Sequence, residues 1–234
     1  QKMPMTTQAV YQEVTAPDGM LSQVNLPDGS SVWLNSGSKL NYPVVFKRGE
    51  RHVYLAGEAY FEVHSDKKHP FIVETNQMKI KATGTAFNVE AYPADTVEAV
   101  TLVRGKVAVH MGLMKHVNLH PSERLYYHSQ SKEFQVTSGD TYKWCSWKDG
   151  ILAFRNDRLD YVFKKIGQKF NVEIAVTDPA IASQLYRATF NRESLDVILN
   201  LLKQSAPIQY KRQARIKGPD GQYSKEKIEV FKLP

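Results

Sequence analysis

Apolar residues in this chain follow a period of two as far as Val136 and take up helical spacing only from Leu159 onward. That change of period confines the chain to an all-β part followed by a mixed part. Val24, Leu26, Val32 and Leu34 face one way around Pro27-Asp28-Gly29-Ser30, whose residue types favour a tight reversal, so the pattern predicts a β-hairpin. From Val53 the odd positions are Val53, Leu55, Gly57, Ala59, Phe61 and Val63, against an even set of Tyr54, Ala56, Glu58, Tyr60, Glu62 and His64. This is a half-buried strand, or two strand halves bent at Gly57. Phe71 and Val73 follow the turn Asp66 to Pro70. Then Met78, Ile80, Ala82 and Gly84 run in one phase while Phe87, Val89 and Ala91 run in the other. Such a slip needs a bulge or break if the core face is to stay buried, and Gly84-Thr85-Ala86 is its predicted place. Thr96 to Val103 with Lys106 to Val109, then Val117 with Leu119, Leu125 to Tyr127 and Phe134 to Val136 complete the series. Short strands spaced by roughly 8 to 12 residues with no amphipathic helix predict an antiparallel sandwich or roll over residues 22–136. Residues 1–21 read as a poorly ordered lead-in or one irregular strand.

Residues 137–146 read as a linker, and Tyr142, Trp144 and Trp147 supply aromatic packing surface where a second domain begins. An internal repeat follows. Phe154, Leu159, Asp160, Val162, Phe163, Ile166, Val172 and Ile174 recur as Phe190, Leu195, Asp196, Ile198, Leu199, Leu202, Ile208 and Tyr210. Each copy reads strand, helix, strand, with Asn156 and Asn191 as candidate N-caps. Gly218 to Gly221 marks a turn before a last strand, Lys227 to Phe231. Residues 147–234 are therefore expected to form a small α+β domain built from two βαβ repeats, with at least one unpaired sheet edge open to another chain.

Composition and charge remove several functions. No apolar run approaches the roughly 20 residues of a membrane helix, and the chain opens at Gln1 with no signal region, so it reads as a fragment or a processed chain whose beginning is missing, and any membrane anchor would lie upstream. The single Cys145 excludes an intrachain disulfide and a cysteine metal cluster. A net charge of +7 is spread along the chain without a recognition-helix or stacking motif, so no nucleic acid is expected. The seven histidines are dispersed, and His64 with His69 or His116 with His120 are the nearest approach to ligand spacing. No metal, cofactor, direct small-molecule ligand or enzyme is expected. Glu58 and Glu62 read as solvated charge on an outer strand face. A rival reading is a carbohydrate-binding β-sandwich module that stacks sugars on Trp33, Tyr54 and Tyr60.

Leu26-Pro27-Asp28-Gly29-Ser30, Gly57-Glu58-Ala59-Tyr60-Phe61, Pro70-Phe71, Gly84-Thr85-Ala86-Phe87-Asn88-Val89 and Thr101-Leu102 with Gly105-Lys106-Val107 together resemble the periplasmic domain of the FecR family of anti-sigma factors. Trp147 to Phe154 and the repeat resemble the domain that follows it in members from Bacteroidetes, similar to the short N-terminal domain of secretins and TonB-dependent receptors. The resemblance implies a transmembrane sensor. Its periplasmic region, tethered by an inner-membrane helix, would receive a signal from the signalling domain of an outer-membrane TonB-dependent transporter. A cytoplasmic domain absent from this chain would hold an extracytoplasmic-function sigma factor. On this reading a partner strand adds to the second domain's sheet, either along Leu185, Arg187 and Thr189 or along Ile228, Val230 and Phe231. Some family members also self-cleave at a Gly-Thr bond, which here is Gly84-Thr85, with Thr85 as nucleophile and Gly84 supplying the attacked carbonyl.

Overall fold

The computed structural model describes residues 10–47, 49–112, 115–219 and 221–233. They form two compact units. One is Leu21–Thr141 with the residues before Pro17, and the other is Tyr142 onward with Pro17–Met20.

The first unit begins with β1 (Tyr11–Thr15), β2 (Ser22–Asn25), β3 (Ser31–Leu34), β4 (Lys39–Pro43) and β5 (Arg51–Glu62). It continues with β6 (Phe71–Glu74), β7 (Met78–Ala82), β8 (Ala86–Ala91) and β9 (Val97–Arg104). The last four are β10 (Val107–Met111), β11 (Lys115–Leu119), β12 (Glu123–His128) and β13 (Glu133–Ser138). These strands join in one curled sheet, and β5 is its fold line. The first half of β5 pairs with β4 antiparallel and with β6 in parallel, while its second half pairs with β3 and β8. Gly57 sits at the changeover with φ +117°, and a Cβ there would lie 2.7 Å from Ser38 Cα. Only glycine tolerates both conditions, so the long strand is continuous and bent there.

Curling puts the alternate apolar residues around one core. Phe61 stacks on Phe87 with ring centroids 5.1 Å apart and meets Phe71 at 6.1 Å, and all three are fully buried. The phase slip is resolved by a break. The chain leaves β7, which pairs with β6 and β10, and re-enters as β8, which pairs with β5 and β9, with a register shift between Ala86 and Phe87. The expected lead-in lies partly outside the described residues, and its described part supplies β1, paired with β4.

Polar positions on these strands are less solvated than the alternation implies. Glu58 is buried, accepting from the side chains of Asn35 at 2.9 Å and Asn88 at 3.0 Å. Glu90 is likewise buried and pairs with Arg124 at 2.8 Å, while Arg124 also donates to Thr101 at 2.7 Å. The expectation of solvated charge at Glu58 is therefore wrong, although Glu62 is exposed. Alternation reports which face a side chain takes, and a second face is free to carry a satisfied polar network instead of water.

The second unit opens with α1 (Tyr142–Cys145) and a 3-10 turn, Ser146–Asp149, followed by β14 (Ile151–Arg158), α2 (Leu159–Phe170) and β15 (Val172–Val176). Next are α3 (Pro179–Ala182), β16 (Leu185–Asn191), α4 (Leu195–Ser205), β17 (Ile208–Gln213) and β18 (Glu226–Lys232). The order strand, helix, strand occurs twice. Pairing does not follow that order, because β14 pairs with β16 in a two-stranded sheet while β15, β18 and β17 form another. The two strands of each copy thus lie in different sheets, and the copies are not βαβ units sharing one small sheet. The repeat encodes buried faces but not strand neighbours. Leu159, Val162, Phe163 and Ile166 of α2 and Ile198, Leu199 and Leu202 of α4 are buried in a single core with Phe154, Phe190, Ile228 and Val230. Neither expected asparagine cap forms. Asn156 sits inside β14 with φ +60°, whereas α4 is capped by Ser194, whose side chain accepts from Val197 N. Arg158 precedes α2 without a side-chain cap.

Candidate functional site

Two strands of the second unit carry the residues expected to receive a partner. In β16 the side chains of Tyr186, Ala188 and Phe190 turn toward the core, while Leu185, Arg187 and Thr189 turn out, Leu185 being 67% exposed. Its paired neighbour is β14, with Arg187 opposite Arg155 and Thr189 opposite Ala153. The ladder slips between Arg155 and Asp157, where Asn156 takes its left-handed conformation. Asp157 Oδ2 accepts the Arg155 N–H at 2.7 Å, so that N–H is turned away from Arg187. In an antiparallel ladder bonded and non-bonded pairs alternate, which directs the main-chain groups of Arg187 and Thr189 to the open side of β16. An extended chain can hydrogen-bond to them without disturbing β14.

β18 is a different case. It pairs with β15 in parallel and with β17 antiparallel, so both of its edges are occupied. Ile228 and Val230 are buried at 1% and 0% exposure, and Phe231 faces away from them. The expectation that Ile228, Val230 and Phe231 line an open edge is thereby overturned. A C-terminal strand inserted between two earlier ones has no free main-chain groups to offer.

Gly84 and Thr85 occupy the break before β8. Gly84 has φ +129°, and a Cβ there would stand 3.0 Å from Ser65 Cα. Thr85 is buried at 1% exposure; its hydroxyl donates to the Lys106 carbonyl at 3.0 Å and its own carbonyl accepts from Val63 N at 2.9 Å. The hydroxyl is thus held by a main-chain oxygen, with no titratable side chain hydrogen-bonded to it among the described residues. Glycine takes this conformation without strain, and an acyl shift also needs a group to take the hydroxyl proton.

The remaining polar groups serve the fold. Arg51 pairs with Asp28 of the Pro27–Ser30 turn, and its Nε donates to the His69 carbonyl at 2.8 Å. Asp28 also accepts from Ser30 N and Oγ, so the turn is stapled to β5. His69 beside Asp66 holds that carboxyl down at about 2. Burial pushes the Glu98 carboxyl up from its ordinary value, against the opposing hydrogen bond from Thr75. Among the described residues no group of three or more His, Cys, Asp or Glu is placed to hold a metal ion, and no helix is long and apolar enough to cross a membrane. The aromatic platform expected from Trp33, Tyr54 and Tyr60 is not assembled. Tyr60 is 5% exposed and meets Trp33 edge-on at 5.8 Å, while Tyr54 lies against Tyr11.

Residues 12–108 match the model of the FecR protein family, and residues 151–218 match that of the FecR C-terminal domain. A crystal structure at 1.65 Å of a proposed anti-sigma factor from Parabacteroides distasonis ATCC 8503 superposes with a TM-score of 0.83 at 30% identity, over 95% of this chain and all of the other. A second structure of a proposed anti-sigma factor from that organism, at 2.50 Å, gives a TM-score of 0.81 at 30% identity over 96% of this chain. Comparison with curated protein sequences gives no significant match. With both of its units matched in order and a relative spanning nearly its whole length, the chain belongs to the FecR family of anti-sigma factors.

Proposed function

We propose that this chain is the periplasmic signal-receiving region of a transmembrane sensor, and that it reports the state of an outer-membrane TonB-dependent transporter to an extracytoplasmic-function sigma factor. The sigma factor would be held by a cytoplasmic domain outside this sequence, reached through an inner-membrane helix. Family membership supports the sigma-factor end of this reading. The observation that carries the receiving end is the open edge of β16, in the region that matches the family's C-terminal domain. Main-chain hydrogen bonds along Arg187 and Thr189 would give affinity, and the alternate outward side chains would give selectivity.

Titration of the chain with the purified signalling domain of the transporter encoded beside its gene tests the reading. Saturable one-to-one binding is expected, and absence of binding by a chain with native circular dichroism would overturn it. The carbohydrate-binding alternative gains no support from the buried Tyr60 and edge-on Trp33. Gly84-Thr85 acts as the turn that lets β8 change partners, so mass spectrometry of the full-length sensor is expected to show one intact species.

A further inference from the structure

The outer face of β16 carries an unbalanced charge. Arg155 and Arg187 are directly opposite each other in the β14–β16 ladder, and like charges so placed repel. Arg187 has neither an ion pair nor a side-chain hydrogen bond among the described residues. The Arg155 guanidinium donates from Nη1 to neutral oxygens: Phe154 O at 2.9 Å, Thr189 Oγ1 at 3.0 Å and Ala188 O at 3.2 Å. These contacts hold it over the β14–β16 ladder, beside Thr189 on the outer face. The nearby carboxylates are committed elsewhere. Asp157 binds Lys143 at 2.7 Å and the Arg155 N–H, and Asp160 binds Arg158 at 2.7 Å. Arg158 lies opposite Leu185, whose exposed side chain extends the same outer face.

A strand added beside β16 would lie about 4.8 Å away, with every second side chain on this face. The side chain opposite Arg187 would then meet two guanidinium groups and, two positions along, an apolar neighbour at Leu185. Resting on the reading of β16 as the partner-binding edge, we infer that the added segment is an extended, acidic stretch of protein whose Asp or Glu carboxylate sits against Arg187 and Arg155. An Arg–carboxylate pair of this kind is charge-assisted and directional, so it selects a register as well as a partner. A second apolar residue at spacing two from the acid would cover Leu185. In the free protein the arginine pair costs a little stability, and the partner relieves it.

Three variants of the full chain, Arg187→Gln, Arg187→Glu and Thr189→Pro, together with wild type, separate this inference from the reading beneath it. Each is titrated with the signalling domain of the neighbouring transporter at low and at high salt. The inference requires Arg187→Glu to weaken binding by about tenfold or more, a shallower salt dependence for Arg187→Gln than for wild type, and recovery when one acidic residue of the signalling domain is reversed to Lys. Thermal melting of Arg187→Gln without ligand is expected at or above the wild-type temperature. Unchanged binding by both Arg187 variants, with binding abolished in Thr189→Pro, would overturn the acidic partner while leaving the edge in place. Wild-type binding by a folded Thr189→Pro would remove the edge reading and this inference with it. Loss in Arg187→Glu that no charge reversal recovers, or an equal response to inorganic phosphate or RNA, would also overturn it.

Discussion

β16 and β18 are built alike, each seven residues long with core-facing and solvent-facing residues in alternation, over the whole of β16 and as far as Phe231 in β18, yet they hold opposite places in the second unit. β18 has a neighbour on each side and buries Ile228 and Val230, whereas β16 has β14 on one side and exposes Leu185, Arg187 and Thr189. The difference teaches that alternation fixes faces, while the number of neighbours fixes function. A central strand is a stability element, and an edge strand is an available hydrogen-bonding surface.

Proline scanning gives the sharpest contrast. Ile228→Pro removes a ladder N–H from a strand bonded on both sides and a fully buried side chain, a combined cost of about 5 kcal/mol or more. The second unit is expected to lose its calorimetric transition while the first keeps its own. Thr189→Pro acts on an outward N–H and is expected to shift stability by no more than about 1 kcal/mol. Equal loss in the two variants would break the comparison.

Truncation comes next in size. Val230→Ala should destabilise the second unit by about 1 to 3 kcal/mol, because Val230 is wholly buried among Phe154, Ile198 and their neighbours. Leu185→Ala should change urea-unfolding stability by no more than about 0.5 kcal/mol, yet weaken partner binding measurably.

The smallest effect is electrostatic. Arg212 lies beside Glu226 at the start of β18 and, through that hydrogen bond, holds the Glu226 carboxyl below its ordinary 4.5. A carboxyl whose folded pKa is depressed contributes stability that is present above its unfolded value and fades as pH falls through the folded one. The melting temperature of the second unit should therefore fall as pH drops below 4.5, and Glu226→Gln should flatten that dependence. Partner binding along β16, which has no carboxylate among its own residues, should be the same in Glu226→Gln as in wild type.

Much of this molecule is legible in its residues. The Pro27–Ser30 reversal, the bend at Gly57 and the apolar stripes of both helices follow from turn chemistry and periodicity. What the residues hide is pairing. Nothing in Lys227 to Phe231 announces that it will slide between β15 and β17, because a parallel neighbour such as β15 is chosen by tertiary packing. Asn156 carries the same ambiguity in miniature, since asparagine suits both a helix cap and a left-handed bulge, and here the bulge wins. The buried Glu58 and Glu90 were hidden for a related reason: a carboxylate on a strand reads as solvated until the Asn or Arg that satisfies it is brought in from another strand.

Amide hydrogen exchange tests the central claim most directly, because it reads main-chain hydrogen bonds residue by residue. On addition of the transporter's signalling domain, the account predicts new protection at Arg187 and Thr189 and no change along Glu226–Lys232, whose amides are already bonded. Protection that stays unchanged at Arg187 and Thr189 while binding proceeds would contradict it.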